Sequence, residues 1–421
     1  MNSKIFFLIS LLLLSTFLGA QGSWHILPNA PVASSRTDDI FFINRQQGWC
    51  ANSDGRIMYT PDGGNTWQLQ FAAGGYFRCI EFRDSLLGFA GTLNQRLYRT
   101  TNGGINWTNV ASQITPVPDA ICGIDIADST TVYAVGQWDT PAFFLKSTDE
   151  GLTWTRKDMS QWASGLVEIQ FFSRDTGFIS GRGAGNSGGV ILYTTDGGTT
   201  WTKVHDTGQT GEYVWKLQRV TEEMWVASVQ TFAPGAVMLK SVDRGQTWQP
   251  IVTPSFDMQG IGFVTPLHGW VGGYSQGMYE TTDGGLSWSY MPVGGNYNRI
   301  FVIDSTLAFG AGQSVYKYSD TSASGISDPH TAFPPHLDWY LTPNPTDAQI
   351  TAVIKLEQES LVRMTVINAA GTEQKEVFHQ RLTAGEHRLA LYVGDLPAGQ
   401  WWMGVQLNHG LHALPFIRRG K

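Results

Sequence analysis

Across 421 residues there are only three cysteines, and charged side chains make up 15% of the chain. Cys50, Cys79 and Cys122 are too few for a disulfide framework, and no two have the spacing of metal ligands. They read as small buried hydrophobes, with a Cys79–Cys122 bridge as the alternative. The formal net charge is −7 and no basic run exists to neutralise phosphates, which argues against nucleic acid as a partner. Nine histidines are scattered without HxH or HExxH spacing, so neither a metal nor another cofactor is expected. No stretch carries helical periodicity. Glycine (48) and tryptophan (16) are abundant instead, which suits many short strands joined by tight turns.

At the N-terminus Lys4 precedes the apolar run "IFFLISLLLLSTFLGA", which reads as a secretory signal peptide over residues 1–20. Cleavage is expected after Ala20, with Gly22 as the other candidate. No cysteine follows the run, which argues against a lipoprotein anchor. The mature chain is expected to be exported, with no transmembrane segment.

An octapeptide of the form [Ser/Thr]-x-Asp-x-Gly-x-x-Trp occurs six times. Its two signature positions are Asp62 and Trp67, Asn102 and Trp107, Asp149 and Trp154, Asp196 and Trp201, Asp243 and Trp248, and Asp283 and Trp288, with Asn102 the single departure. Successive tryptophans lie 40, 47, 47, 47 and 40 residues apart, a period in the range of repeat architectures. Upstream of each octapeptide stands an alternating apolar strand, then a polar turn, then in most repeats Gly plus an aromatic opening a second strand, as in "IFFINRQQGW" from Ile40. That makes four short strands per repeat, the pattern of a propeller blade. The acidic side chain suits a turn whose backbone N–H groups need acceptors, and Gly supplies positive φ. The Trp is expected to start the outer strand and to cover apolar surface at the blade edge.

Six octapeptides do not limit the ring to six blades. Residues 300–320 repeat the first three strands and then stop, while "GSWHIL" near the mature N-terminus looks like an orphan fourth strand with Trp24 in the Trp position. The expectation is a seven-bladed β-propeller over residues 21–320, its last blade closed by Ser23–Leu27 pairing with residues 314–319, which removes the open edge. Residues 321–336 are Ser/Pro-rich and read as a linker. Residues 337–421 alternate without repeats and suit a small Ig-like β-sandwich of about seven strands. The fold class is all-β.

The octapeptides resemble the Asp-box, or bacterial neuraminidase repeat, of sialidases and other extracellular propellers. The tail, with "LTPNPT", "VINAAGTEQ", "DLPAGQWWMGVQL" and "FIRRGK", resembles the C-terminal sorting domain of the type IX secretion system, although it carries two tryptophans where that family has Tyr and Phe or Val. The resemblance implies a protein of the Bacteroidota, secreted or at the outer cell surface, with the type IX machinery as partner. Seven blades of this length with "GW" second strands look most like the photosystem II stability/assembly factor family, which implies a non-catalytic binding ring. Sialidase chemistry lacks its Arg-Ile-Pro motif here, although Tyr213 adjoins Glu212. A xyloglucanase-like cleft would need a second ring, although Asp38, Asp39, Glu81, Asp125, Glu168 and Asp257 all stand near starts of inner strands.

The expected function is therefore a secreted glycan- or protein-binding module, with an extracellular glycoside hydrolase as the alternative. The candidate ligand face lies opposite the octapeptides and is expected to carry Arg36, Asp38, Arg78, Trp138, Trp162, Glu168, Trp215 and Arg299, with Tyr76, Arg182, Tyr213, Tyr274 and Tyr297 beside them. Arginine mixed with aromatics suits glycan or protein contact.

Overall fold

The computed structural model describes residues 22–136, 141–231, 236–254, 257–320, 339–342, 346–356, 359–368, 374–407 and 410–419. The expected signal peptide and linker lie outside the described residues. Seven four-stranded antiparallel sheets form the blades of a β-propeller. The first strands of the blades are Thr37–Phe42, Phe77–Phe82, Ile121–Ile126, Ala163–Phe171, Tyr213–Arg219, Met258–Phe263 and Arg299–Asp304. Each contacts the first strands of both neighbours, the last closing on the first, so these seven surround one channel.

The seventh blade closes as the repeat count requires. Ser23–Ile26 pairs antiparallel with Val315–Ser319, placing Trp24 opposite Tyr318. Trp24 is buried and meets Trp270 of the sixth blade edge-on, ring centres 5.3 Å apart and planes at 89°. Trp154 meets Phe89 and Trp248 meets Phe178 in the same way, at 6.2 and 6.3 Å and 89° and 87°. Trp201 leans on Phe144 at 5.2 Å, and Trp107 on Phe71 at 6.2 Å. Trp67 packs with Leu27 and Phe309, and Trp288 with Met238 and Ile251. The N-terminal strand thus does for the seventh blade what the octapeptide tryptophans do elsewhere. It covers the apolar face of the preceding blade.

The placement of those tryptophans departs from expectation in one respect. None of them starts an outer strand. The outer strands are Gln68–Ala72, Thr108–Asn109, Thr155–Asp158, Thr202–Asp206, Gln249–Val252 and Ser289–Gly295, so Trp67, Trp107, Trp154, Trp201, Trp248 and Trp288 each stand one residue before. In three of the six the side chain still belongs to the turn. Trp67, Trp154 and Trp248 donate Nε1–H to the carbonyls of Gly64, Gly151 and Gly245, three residues back, and the ladder begins only with the next residue. In Trp107, Trp201 and Trp288 the same nitrogen is buried without a hydrogen-bond partner. Coverage differs as well. Trp201 and Trp248 are buried, whereas Trp67, Trp107, Trp154 and Trp288 keep part of the indole in solvent.

The six octapeptide turns share one hydrogen-bond pattern. In the fourth blade Asp196 Oδ1 accepts from Thr194 Oγ1 (2.9 Å) and the Thr200 N–H (2.8 Å), and Asp196 Oδ2 from Thr200 Oγ1 (2.6 Å). Gly198 donates its N–H to Thr194 Oγ1 at a φ of 84°. Asp62, Asp149, Asp243 and Asp283 accept in the same way. At the exceptional turn, Asn102 Oδ1 still accepts from Thr100 Oγ1 and the Asn106 N–H, while the hydroxyl donor of the other turns is replaced by Asn106. The two positions differ together because an amide nitrogen offers no acceptor to a hydroxyl.

The Gly-aromatic pair of the second strands has a packing cause. A Cβ on Gly48 would sit 2.4 Å from the Phe42 ring, and one on Gly269 2.4 Å from that of Phe263. The aromatic after the glycine then stacks on the next blade, as Trp49 does on Phe82 (3.6 Å), and Tyr133, which follows Val132 instead, stacks likewise on Phe171 (3.9 Å). Blades therefore adhere through flat rings whose approach needs a side-chain-free neighbour.

The C-terminal residues form seven strands in two further sheets. One holds Trp339–Thr342, Gln349–Leu356 and Gly385–Tyr392; the other holds Gln374–Leu382, Ser360–Asn368, Gly399–Leu407 and Gly410–Arg418. Ile350, Ile354 and Leu391 of the first pack with Val362, Met364, Trp401 and Met403 of the second in one core, the pattern of a sandwich.

Candidate functional site

One register irregularity recurs in the first strands of six blades. Pairing with the second strand skips one residue between Thr37 and Asp39, Phe77 and Cys79, Ile121 and Gly123, Leu166 and Glu168, Val214 and Lys216, and Met258 and Gly260. A bulge leaves its extra residue out of the ladder and re-aims the side chain. The extra residues are Asp38, Arg78, Cys122, Val167, Trp215 and Gln259, and Asn298 stands in the corresponding place before Arg299. All seven are buried, Asp38 completely and Trp215 to 2% exposure.

These side chains meet across the ring. Asp38 Oδ1 accepts from Arg36 Nε (3.0 Å), Arg78 Nη1 (2.8 Å) and Asn298 Nδ2 (3.0 Å). Trp215 Nε1 donates to Asn298 Oδ1 at 2.6 Å, and the Arg78 guanidinium lies 4.8 Å from the centre of the Trp215 ring. Gln259 Oε1 accepts from Arg36 Nη1 at 2.6 Å. Cys122 and Val167 pack with Trp215 on the apolar side. The layer spans the channel and seals one end. Although burial opposes the charge of Arg36, Asp38 and the neighbouring tyrosines hold its pKa above the ordinary value, and burial beside Asp38 pushes the Tyr76 hydroxyl up to about 12.

One position inward the layer is ionic. Arg299 makes a two-pronged pair with Glu168 (3.0 and 3.2 Å) and donates from Nε to Asp39 Oδ1 (2.6 Å), while Lys216 Nζ reaches Glu168 at 2.7 Å. Burial disfavours the Arg299 charge, but Asp39 and Glu168 together raise its pKa. Burial, then repulsion from Arg299, lowers that of Lys216. Every charge here is matched, as desolvated ions must be.

Beyond it the channel opens into a cavity of about 660 Å³. Phe41, Glu81, Asp125, Gln170, Gln218, Gly262 and Phe301 hold equivalent places in their strands, opposite the aromatic or apolar residue of the second strand. The mouth is lined by Asn44, Gln47, Arg83, Asp84 and Ser85 from the turns between first and second strands. The octapeptide turns bond to those turns: the Gly63 N–H donates to the Gln46 carbonyl, and that of Gly103 to the Leu86 carbonyl. The open end therefore faces the octapeptide side.

The Glu81 and Asp125 carboxyls hydrogen-bond each other. Burial first, then mutual repulsion, raises Glu81 well above the usual carboxylate range, and burial pushes Asp125 to about 7. Glu81 Oε1 accepts the Ile126 N–H at 2.9 Å, and Asp125 Oδ2 accepts that of Phe171. The same device recurs where Asp39 accepts from Ile80 and Gln218 from Phe263, so each carboxyl or amide ties its strand to the next blade.

The expected ligand face is thus corrected in part. Arg36, Asp38, Arg78, Glu168, Trp215 and Tyr297 are not exposed there. The bulge turns Asp38, Arg78 and Trp215 toward the axis, Arg36 pairs with Asp38 and Glu168 with Lys216 beside them, and Tyr297 packs between the sixth and seventh blades. Arg299 is partly covered beneath the cavity. Trp162 is half-buried against the core shared by the third and fourth blades. Arg182 stacks over Tyr213 at 4.9 Å, and Tyr274, 48% exposed, carries Arg36 at 5.1 Å. Trp138 lies outside the described residues. Of the carboxylates, Glu81 and Asp125 come together, Asp39 and Glu168 meet around Arg299, and Asp257 stands apart, accepting from Gln230 at 3.3 Å. Lys216, Gln259 and Asn298 were not anticipated, although each stands at a repeat-equivalent position on its inner strand. The three cysteines are buried and form no disulfide, which removes the Cys79–Cys122 bridge. Among the described residues no group of three or more His, Cys, Asp or Glu is placed to hold a metal, and no helix is long and apolar enough to cross a membrane.

The ring is similar in sequence and in propeller fold to photosystem II assembly proteins. It is 26% identical over 300 residues to the photosystem II assembly lipoprotein Ycf48 of Synechococcus sp. (strain CC9902), covering 65% of this chain and 82% of that protein. With the Ycf48 of Trichormus variabilis the identity is 26% over 314 residues, 68% of this chain and 83% of that one. A solved Ycf48 bound to a D1 peptide shares the fold at a TM-score of 0.56 and 17% identity, over 71% of this chain and 97% of that chain. PorZ, a surface component of the type IX secretion system of Porphyromonas gingivalis, shares it at 0.52 and 12%, over 94% of this chain and 61% of that chain. No protein-family model matches the chain.

Proposed function

We propose that the propeller is an exported binding module that holds a peptide segment of a partner protein at the open end of its channel. The observation that carries this is the asymmetry of the channel, sealed by the bulge layer at one end and opening at the other into a cavity of about 660 Å³ with half-exposed polar and aromatic walls. A cavity of that size with convergent polar groups suits a small ligand or an inserted side chain. Support for a peptide comes from the relatives, assembly proteins of which one was solved with a peptide bound. The hydrolase alternative has less support. Glu81 and Asp125 touch, whereas paired glycosidase carboxylates stand about 5–9 Å apart.

Probing a peptide array with the full chain tests the site. Ser85→Trp, which narrows the mouth from an exposed turn, is expected to lose the bound peptides while keeping the parental melting temperature. Unchanged binding would place the ligand elsewhere.

Export belongs to the same proposal. The signal-like N-terminus and the sorting-domain-like tail support passage through the type IX system, with the six turns being Asp-boxes. The three cysteines, all within the blades, leave none beside the apolar run for a lipid. Removing residues 337–421 should retain the ring in the periplasm. Normal amounts of truncated protein in the medium would remove the export assignment.

A further inference from the structure

We propose that the cavity receives a basic side chain of the partner peptide, its guanidinium or ammonium group seated between the Glu81–Asp125 carboxyls and the Phe41–Phe301 wall. This rests on the reading of the open end as the binding site and names the chemistry of its ligand.

The hydrogen-bond inventory of the layer points to a ligand rich in donors. Glu81 and Asp125 each spend one oxygen on a backbone N–H of the next blade, and their remaining oxygens face each other. Gln170 Oε1, in the same layer, is buried without a hydrogen-bond partner. Gln218 contributes nothing further, because its amide both donates to the Phe263 carbonyl (2.9 Å) and accepts the Phe263 N–H (2.7 Å). What remains is acceptor capacity without donors to fill it.

Among the described residues the cations that line the cavity are held elsewhere, Arg219 over the Phe172 ring at 5.6 Å. Arg299 is held by Asp39 and Glu168, and Lys216 by Glu168. Arg83 at the mouth is taken by Asp84 and Glu150. A sugar hydroxyl brings an acceptor with every donor, so it relieves this imbalance poorly. An ammonium or guanidinium brings donors only, together with the charge that two adjacent carboxyls lack. Beside the pair, on the adjoining first and seventh blades, Phe41 and Phe301 meet edge-on at 5.3 Å, an apolar surface suited to the aliphatic stem and to a cation near a ring.

A proton is the competitor. Asp125, raised to about 7, keeps the pair protonated below neutrality. The groups that bear on the pair are Glu168, which raises Asp125, and Arg299, which lowers Glu81, with Tyr133 beside Asp125. A basic side chain must displace the proton, so binding should strengthen as pH rises through about 7.

Titration calorimetry of the full chain at pH 6 and pH 8 tests this with acetyl-Leu-Arg-Leu-amide, its citrulline counterpart and cellotetraose. Citrulline keeps the shape of arginine without the charge. The arginine peptide should bind at least about tenfold more tightly than the citrulline peptide, and more tightly at pH 8 than at pH 6. Glu81→Gln and Asp125→Asn, which keep the acceptor for the neighbouring N–H, should each remove that preference and its pH dependence. Equal binding of the two peptides, a preference that survives both variants, or tighter binding of cellotetraose would overturn the proposal. Array peptides lost on Ser85→Trp but indifferent to charge would overturn it while leaving the open-end site in place. Array binding that Ser85→Trp does not touch would remove both.

Discussion

The two ends of the channel are built from the same seven strands and could hardly differ more. At the sealed end each strand contributes one bulged or pre-strand residue, and seven side chains close the axis around a carboxylate shared by two arginines and an indole hydrogen bond. At the open end the corresponding layer is half-exposed, keeps two carboxyls against each other and leaves an amide oxygen unfilled. The ladder is regular there, so side chains alternate and the axis stays open. The comparison teaches that a propeller's plug and its cavity can be separated by three residues along one strand, according to where the chain bulges.

The largest effect is expected where the seal is broken. Asp38→Ala would leave Arg36 and Arg78 buried without their shared carboxylate, a loss of about 3–5 kcal/mol. Urea unfolding should show it as a lowered midpoint. A loss below about 1 kcal/mol would mean that water reaches the sealed end and screens both arginines.

On the open side the octapeptide turns carry less each. Asp196→Ala removes the acceptor of three donors at an exposed turn and should cost about 1 kcal/mol, whereas Asp196→Asn should cost less, because Asn102 already serves in that position. Hydrogen bonds from Thr200 hold the Asp196 pKa down to about 2. A depressed folded pKa contributes stability above the unfolded value near 4 and loses it as pH falls toward 2. The difference in melting temperature between the parent and Asp196→Ala should therefore shrink over that interval. Constancy between pH 5 and pH 2 would contradict the hydrogen-bond account.

The effect of the carboxyl pair has the opposite sign. Asp125 is raised in the folded state, so the fold binds a proton that the unfolded chain has released, and stability falls as pH rises from about 4 to about 7. Asp125→Asn should then melt higher than the parent at pH 8, with no such gain at pH 4. An equal shift at both values would show that the carboxyl pair is not held at this cost.

Much of this architecture is legible along the chain. The tryptophan spacing predicts the blades, the truncated last repeat with the orphan Trp24 predicts the closure, and the register of Trp24 against Tyr318 bears it out. The octapeptide tryptophans are legible as covers but not in their place, since a residue that ends a turn, in three cases with its indole bonded back to it, looks in sequence like the first residue of the strand that follows. The site is far less legible. Arg36, Asp38, Arg78 and Trp215 are visible as arginines and an aromatic near strand starts, yet their burial depends on a bulge that alternation does not announce. Glu81 and Asp125 are visible only as two carboxylates among six. Nothing local says that these two touch while Asp257 stands alone.

By itself the sequence determined what short-range chemistry decides: turns whose Asp and Thr satisfy their own backbone, strands whose apolar residues alternate, glycines beneath rings, and a period that counts blades. All but the period are settled within some ten residues by hydrogen bonding and sterics, and the period is the repetition of those local units. Only the tertiary structure decided which side chains face the axis and which meet there. Asp38 reaches Asn298 across 260 positions of chain, and the contact exists because ring closure brings seven first strands to one axis and a repeated bulge chooses the residue each of them turns inward.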